Sequence, residues 1–578
     1  MTVAAVVLLL LCCSACNDRP PLPNKNVLLI SLDTLRADEL GTYGSDRELT
    51  PGIDAWAQTG IVFEHNQAMA PWTLPSHGSI FTGVYPSRHR AVGPNTPIDS
   101  EVPTLPEILH ERGFETGGFA QVWWLTSEFG FDRGFDVFQN ADPGKEPHAV
   151  LRPAFNWLEQ REKPWFLFVH LFTPHEPYLP PKRFRAKFAP ECTKKKYTRI
   201  RVDLERNPDD MACLQNLYHG EVAFTDAAIT RFLDVLRDKG MLENTLVVLT
   251  SDHGEGFWEH GVQGHGNSLY EEVLHTPLII AGPGIPENIR VPDRVGGVDV
   301  LPTILAWLGI EPPEGIDGVN ILDENKRRER PNLFSMAAAR SFVGVAAYEN
   351  DLKYQDLFEM KMGTSQFEPS LFDLKSDPGE QNNLIDQRPQ DVSRIKKAVR
   401  ALPSLTERTA YYIKYRVGDD TSERLTVKIA CEEPIYECNT LNFHVNNDPG
   451  AHSPLTATYY DETPESCSAI FRGDRSPDTL WLFPRKEAQQ CYATLESETV
   501  DEAALVSRMD SRGARFENGK ARLPIPGLGL FDPQPGGVMI GQQKVLTLTT
   551  PIGHKKSHKS VALTEEAKNK LRSLGYLN

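Results

Sequence analysis

A chain of 578 residues, 40% hydrophobic and 24% charged, has the composition of a globular protein and enough length for more than one core. A single core seldom grows past about 250–300 residues, so two domains are expected. The formal net charge of −17 repels phosphate backbones at long range and argues against nucleic acid as a partner, although a local positive site can still take up a small anion.

Val3–Leu11 is an unbroken apolar run followed by CCSAC. It is too short to span a bilayer and has the size of a signal-peptide core, so residues 1–15 are read as a leader. Ser14 and Ala15 place small residues before Cys16, which makes Cys16 the expected lipid-attachment point of an exported cell-envelope lipoprotein. No Lys or Arg precedes the run and Cys13 stands where a lipobox usually has Leu, which keeps simple secretion as the alternative. Residues 16–25, with Pro20, Pro21 and Pro23, read as a tether.

Asn26–Leu32 (NVLLISL) is nearly continuous apolar sequence without strict alternation, as in a strand buried on both faces of a parallel sheet, and it stops at Asp33. In Ala70–Gly83, Thr73 precedes Leu-Pro-Ser and a run with helical apolar spacing, which predicts a tight turn feeding a helix. Thr73 or Ser76 could simply cap that helix. The same place, at the positive end of the helix dipole, favours a developing alkoxide or a bound phosphate or sulfate.

Pro103–Gly113 reads as a helix and Phe114–Ala120 as the strand after it. Trp165–Phe172 is a second buried run, stopping before His175, and Asn216–Gly240 has the spacing of a long helix. Thr245–Thr250 is a third run, stopping at Ser251-Asp252-His253, Pro277–Ala281 a fourth, and Val300–Gly309 another helix. Apolar runs alternating with helices predict an α/β domain over 26–385 with a mixed, mainly parallel sheet. Residues 386–562 change texture, with short β-like pieces at Val427–Ala430, Leu441–Val445, Ala469–Arg472 and Val545–Thr549, and are read as a smaller β-rich accessory module. Residues 563–578 read as a closing helix.

Beyond Cys16 six cysteines remain: Cys192, Cys213, Cys431, Cys438, Cys467 and Cys491. An even number in an exported chain predicts disulfides, and proximity in sequence suggests Cys192–Cys213, Cys431–Cys438 and Cys467–Cys491. The mature chain has no CxxC pair, which argues against a thiolate zinc site.

Three of the apolar runs thus end in Asp33, His175 and Asp252-His253. Ligand sites in open α/β sheets lie beyond the carboxyl ends of the strands, so these side chains can converge on one rim although each alone could be a turn or cap residue. Two carboxylates, an imidazole and the Thr73 hydroxyl make a hard, mixed oxygen and nitrogen set suited to one divalent ion, Ca, Mn, Zn or Mg. Such an ion would lower the pKa of Thr73 and offset charge on a transferred oxyanion. No GxSxG elbow occurs, which argues against a serine-hydrolase triad.

At these residues the chain resembles a known family. NVLLISLDTLRAD, the TLPSHGSIFTG stretch, YPSRHR, FTPHEPY, NTLVVLTSDHGEGF, GHGNSLYEE and LFDLKSDPGEQNNL follow the order typical of the sulfatase family of the alkaline phosphatase superfamily, over about 26–384. The ending LTEEAKNKLRSLGYLN is similar to the tails of many bacterial sulfatase-like proteins. The resemblance implies a large α/β sandwich, with Asp33, Thr73, Asp252 and His253 as metal ligands and Thr73 as nucleophile. It implies further that His175 and His265 contact the ester and protonate the leaving oxygen.

Sulfatases carry Cys or Ser at the position of Thr73, oxidised to formylglycine, which Thr cannot become. His77 stands where the family has Arg, and Thr34 where it has a second Asp. The Asp33, Thr73, Asp252-His253 pattern looks more like the superfamily's phosphonate and phosphodiester hydrolases. A hydrated formylglycine expels sulfate by breaking its own C–O bond, whereas phosphothreonine is hydrolysed by in-line water attack with metal and His assistance. The expectation is therefore a hydrolase of phosphate or phosphonate esters on small or glycan-linked molecules. Alternatives are a formylglycine-free sulfatase, a phosphoryl-group transferase and a non-catalytic surface glycan-binding protein. His260, Glu255 and His275 receive no role, and the basic run at Lys194–Lys196 reads as a solvated loop.

Overall fold

A computed structural model describes residues 24–402, apart from 94–95, 142–145, 163, 193–197, 200–207, 340–341 and 360–368, and beyond 402 the backbone of strands between 405 and 548. The leader, the tether up to residue 23 with Cys16, Leu441–Val445 and the closing helix lie outside the described residues. Among the described residues no helix is long and apolar enough to cross a membrane.

The strands of the central sheet are β1 (Asn26–Leu32), β2 (Gly60–Gln67), β3 (Glu115–Ala120), β4 (Val137–Asn140), β5 (Trp165–Leu171), β6 (Thr245–Ser251), β7 (His275–Ala281) and β8 (Ile289–Gly296). Their spatial order is β8-β2-β7-β6-β1-β5-β3-β4. Only β7 runs antiparallel to its neighbours, so the sheet is mixed and mainly parallel, as the apolar runs predict.

Alternation along each run divides the core. Leu28, Ile30 and Leu32 of β1 face one apolar layer and Val27 and Leu29 the other. The first layer is closed by the long helix Pro208–Asp238, through Leu217, Val222, Ile229, Phe232 and Leu236. The second is closed by α1 (Thr73–Thr82), through Leu74, Ile80 and Phe81, and by α2 (Val300–Leu308). Removing a fully buried Val, Leu, Ile or Phe side chain from water contributes roughly 1.5–3 kcal/mol. A strand apolar on both sides therefore has its lowest free energy between two helical layers.

An antiparallel sheet follows, of β9 (Leu333–Ala339), β10 (Phe342–Glu349), β11 (Leu352–Glu359) and β12 (Ser370–Asp373), in that order. It packs with Val392, Ile395 and Val399 of α3 (Pro389–Arg400) around a third apolar cluster. β2, β4, β8 and this whole sheet are absent from the sequence reading, because β4 has only four residues, polar residues interrupt β2, β8 and β11, and β9 and β10 are rich in Ala, which has little strand preference.

Beyond 402 the backbone forms a four-stranded and a six-stranded antiparallel sheet, in keeping with the β-rich reading. Of the suggested disulfides, Cys192–Cys213 is present. The pairing of Cys467 with Cys491 does not match the strand register. Strand Arg424–Cys431 lies between the strands that carry them, with Cys467 opposite Ile429 and Cys491 opposite Cys431. Sheet order interleaves segments that sequence distance alone treats as neighbours.

Candidate active site

β6, β1 and β5 are adjacent and parallel, so their carboxyl ends share one rim. Asp33 directly follows β1 and Asp252 directly follows β6. The Asp33 N–H donates to the Leu171 carbonyl at the end of β5 (3.0 Å). Between the two acids stands Thr34, a β-branched residue with φ of +57°, in the left-handed region where such residues are strained. Its N–H donates to Asp252 Oδ1 (3.3 Å) and its carbonyl accepts from the Tyr218 hydroxyl (2.8 Å), which holds the turn that aims Asp33.

Thr73 opens α1 after the extended Trp72, and every residue of this helix is buried. The Ser76 hydroxyl donates to the Asp252 carbonyl (2.6 Å) and pins the helix start to the end of β6. Thr73 Oγ1 lies 3.4 Å from His253 Nε2. His253 Nδ1 donates to the Gly254 carbonyl (2.9 Å), which turns the Nε2 lone pair towards Thr73. The same Nε2 is 3.4 Å from Asp252 Oδ2 and 3.8 Å from Asp33 Oδ1.

Donor atoms of Asp33, Asp252 and His253 lie within 4.8 Å of one another, and all three residues are fully buried. Two carboxylates so close in a dry setting repel each other unless a cation lies between them. With the Thr73 hydroxyl and one imidazole, this donor set fits a divalent ion. Burial pushes the Asp252 carboxyl up, but His253, His77 and His170, with the Thr34 N–H, outweigh it and hold it below its ordinary value.

Around this centre stand two further imidazoles. His77, one turn into α1, meets the Thr73 carbonyl through Nδ1 (3.0 Å) and Ser31 Oγ through Nε2 (2.9 Å). Its Nδ1 is also 3.5 Å from Asp252 Oδ2. Burial pushes its pKa down to about 3 against the pull of Asp252, so the ring is neutral. His170, on β5 beside Ser31 of β1, has Nε2 3.4 Å from Asp33 Oδ2 and is pushed down by burial to about 4. Sequence reasoning gave His77 no role and passed over His170. The available signal was a lone imidazole inside the otherwise apolar run WFLFVHLF.

On the outer side, His175 donates through Nδ1 to the Glu176 carbonyl (2.6 Å), and its ring stacks on Phe172 with centroids 4.4 Å apart. The His265 ring lies 5.0 Å from that of His175 and 4.5 Å from that of His253. His265 Nδ1 meets Glu255 Oε1 at 2.8 Å, and Glu255 Oε2 accepts from the Tyr178 hydroxyl at 2.9 Å. The six residues read from the sequence, Asp33, Thr73, His175, Asp252, His253 and His265, are thus brought together, and Glu255 joins them. His260 and His275 do not join. His260 is bonded to Glu272 and stacked on Tyr270, and His275 meets the Glu64 carbonyl.

Residues 25–310 match the family model described as Sulfatase. An ulvan-active sulfatase of Formosa agariphila is 25% identical over 449 residues, which cover 69% of this chain and 85% of that protein. Arylsulfatase K of Bos taurus is 25% identical over 450 residues, covering 65% and 81%. Among solved structures, the phosphonate monoester hydrolase of Agrobacterium radiobacter superposes with a TM-score of 0.55 at 21% identity, over 65% of this chain and 94% of that one. A protein solved with D-glucosamine-2-N,6-O-disulfate as its substrate gives 0.55 at 20% identity, over 65% and 97%. These structural likenesses are likenesses of fold.

Proposed function

Residues 25–310 form a domain of the sulfatase family, hydrolases of the alkaline phosphatase superfamily, and from that premise we propose that this chain hydrolyses phosphate or phosphonate mono- and diesters through Thr73. The observation that carries the reading is the buried Thr73 hydroxyl at the start of α1, 3.4 Å from His253 Nε2 and beside two buried carboxylates. Asp33, Thr73, Asp252 and His253 would hold one divalent ion, which when bound lowers the pKa of the hydroxyl and offsets the charge of the transferred group.

The chain's own groups do the rest. The positive end of the α1 dipole, where Thr73 stands, favours the developing oxyanion. His265, oriented through Nδ1 by Glu255, presents Nε2 as the proton donor to the leaving oxygen, with His175 as its neighbour on the same side. After the leaving group departs, the neutral imidazole takes a proton from the water that attacks phosphothreonine in line. Phosphorus esters suit a threonine because the covalent intermediate is released by that attack, with no need of the aldehyde hydrate.

Sulfuric esters are the second reading, favoured by the names of the relatives, which are sulfatases. The substrate class in either case is a small or glycan-linked anionic ester. An exported chain, tethered through a lipid at Cys16, is the setting we propose for it.

The test is a panel of aryl phosphate mono- and diesters, phosphonates and sulfates assayed with added Ca, Mn, Zn or Mg. Thr73→Ala is expected to lose turnover by about 10³-fold or more on the preferred ester. Full activity in that variant would overturn the mechanism. Turnover of sulfates alone would transfer the reading to the second class.

A further inference from the structure

We propose that His77, His170 and Asp252 hold a second divalent cation, so that the site is binuclear and Asp252 is shared. The proposal deepens the reading of the same site and rests on the first ion being held by Asp33, Thr73, Asp252 and His253.

One donor atom each from His77, His170 and Asp252 lies within 4.8 Å of the others, as in the group Asp33, Asp252 and His253, and every one of these residues is fully buried. Asp252 belongs to both groups. Its Oδ1 is engaged by the Thr34 and His253 N–H groups, at 3.3 and 3.0 Å. Its Oδ2 faces His253 Nε2 at 3.4 Å and His77 Nδ1 at 3.5 Å. That oxygen has no hydrogen-bond partner among the described residues, and neither ring nitrogen of His170 has one. Buried polar groups left without partners are unfavourable, and here a carboxylate oxygen and an imidazole with that need point into one small space.

His77 can turn to serve. Its Nδ1 now meets the Thr73 carbonyl and its Nε2 meets Ser31 Oγ. A serine hydroxyl donates or accepts equally well, so Ser31 can accept from Nε2–H in the other tautomer, which leaves the Nδ1 lone pair for a cation. Two imidazoles and a carboxylate select a transition ion such as Zn or Mn rather than Ca or Mg. The rings of Phe168 and Phe131 lie 6.0 and 6.5 Å from that of His77, so this ion would lie in a dry layer beneath α1, away from substrate.

Two neutral imidazoles cancel none of the ion's charge. The second cation therefore adds positive potential under Thr73 and favours dianionic phosphate monoesters over monoanionic diesters.

The experiment uses the full chain, stripped with chelator, reloaded with Zn or Mn and freed of excess metal by gel filtration. Bound metal is counted by mass spectrometry, and the Mn form is examined by electron paramagnetic resonance. The wild type is expected to hold about two equivalents and to show exchange-coupled Mn. His170→Ala and His77→Ala are expected to hold about one, with an isolated Mn signal, and Asp33→Asn also about one. His170→Gln, which keeps the bulk of the ring, guards against misfolding, and its circular dichroism should match that of the wild type. A folded His170→Gln that still holds two equivalents overturns the proposal. So does a single equivalent in the wild type, whether it is lost in Asp33→Asn alone, leaving the hydrolase reading intact, or weakened in His170→Ala, which would make His170 a ligand of the first ion. A wild type that holds no metal overturns both readings.

Discussion

The Glu255 carboxylate accepts from His265 at one oxygen and from the Tyr178 hydroxyl at the other, so its position is fixed from two sides. That bond orients the imidazole and stabilises its protonated form, which is what a proton donor to a leaving oxygen needs. His265→Ala is expected to slow hydrolysis of esters with poor alkyl leaving groups by about 100-fold or more, and to change activated nitrophenyl esters little. Equal losses on both, in steady-state rates, would remove His265 from that role. Glu255→Gln should reproduce the pattern more weakly and shift the alkaline limb of the rate profile to lower pH, because the amide cannot stabilise the imidazolium that donates the proton. The parts of this centre legible in the sequence are those that end apolar runs: Asp33, Asp252 and His253 stand out because polarity begins abruptly there. His77 and His170 sit inside a helix and a strand, where an imidazole reads as a tolerated core residue until the fold aims both at Asp252.

At the scale of elements, α1 approaches its neighbours because Gly78 has no side chain: a Cβ there would stand 2.6 Å from His89 Cε1. His89 is itself held by the Pro75 carbonyl (3.1 Å) and Ser79 Oγ (3.2 Å), so the ring cannot easily retreat. Gly78→Ala is expected to destabilise the protein by roughly 1–3 kcal/mol in denaturant titration, and to impair turnover by displacing the start of the helix. An unchanged unfolding midpoint would show that the ring gives way freely. Cys192–Cys213 closes a span of 21 residues into the helix Pro208–Asp238, which also carries Tyr218. Replacing both cysteines by Ala should cost about 3 kcal/mol, read as a lower melting temperature in non-reducing buffer. β1, β5 and β6 were legible because burial on both faces writes a continuous apolar run. The sheet β9 to β12 was not, although its strands are buried on both faces too, since β9 and β10 are rich in Ala, which has little strand preference, and Lys353 and Gln355 interrupt β11.

At the scale of the molecule, the antiparallel sheet is tied to the rim of the central sheet by a buried charge cluster. Lys353 lies 2.9 Å from Glu271 and 2.7 Å from Glu380 and is wholly buried, and Glu271 also accepts from the Tyr348 hydroxyl (3.0 Å). One ammonium serves two carboxylates. Burial raises Glu380 to about 7 although Lys353 pulls it down, while Glu271, despite its burial, is held low by Lys353 and Arg294. The folded state thus binds the Glu380 proton more tightly than the unfolded chain, whose value is near 4.5. Its stabilising contribution is present in full below that value and is lost as pH rises through about 7. Melting temperature should fall between about pH 5 and 8, and Glu380→Gln should flatten that slope; an unaltered slope would assign the dependence to other groups. Chelation should also lower the melting temperature, because an ion bound to the native state alone at about a hundredfold its dissociation constant adds roughly 2.7 kcal/mol.

The side chains that converge on this rim are those of Asp33, Thr73 and the Asp252-His253 pair, so the first and last are separated by most of the span 25–310. A ribosome making this chain completes Asp33 early, yet no pocket able to grip an ion exists until β6 has been made and has paired with β1. An ion held there would therefore be acquired late in the life of the polypeptide, and would be chosen by whichever compartment it finishes folding in.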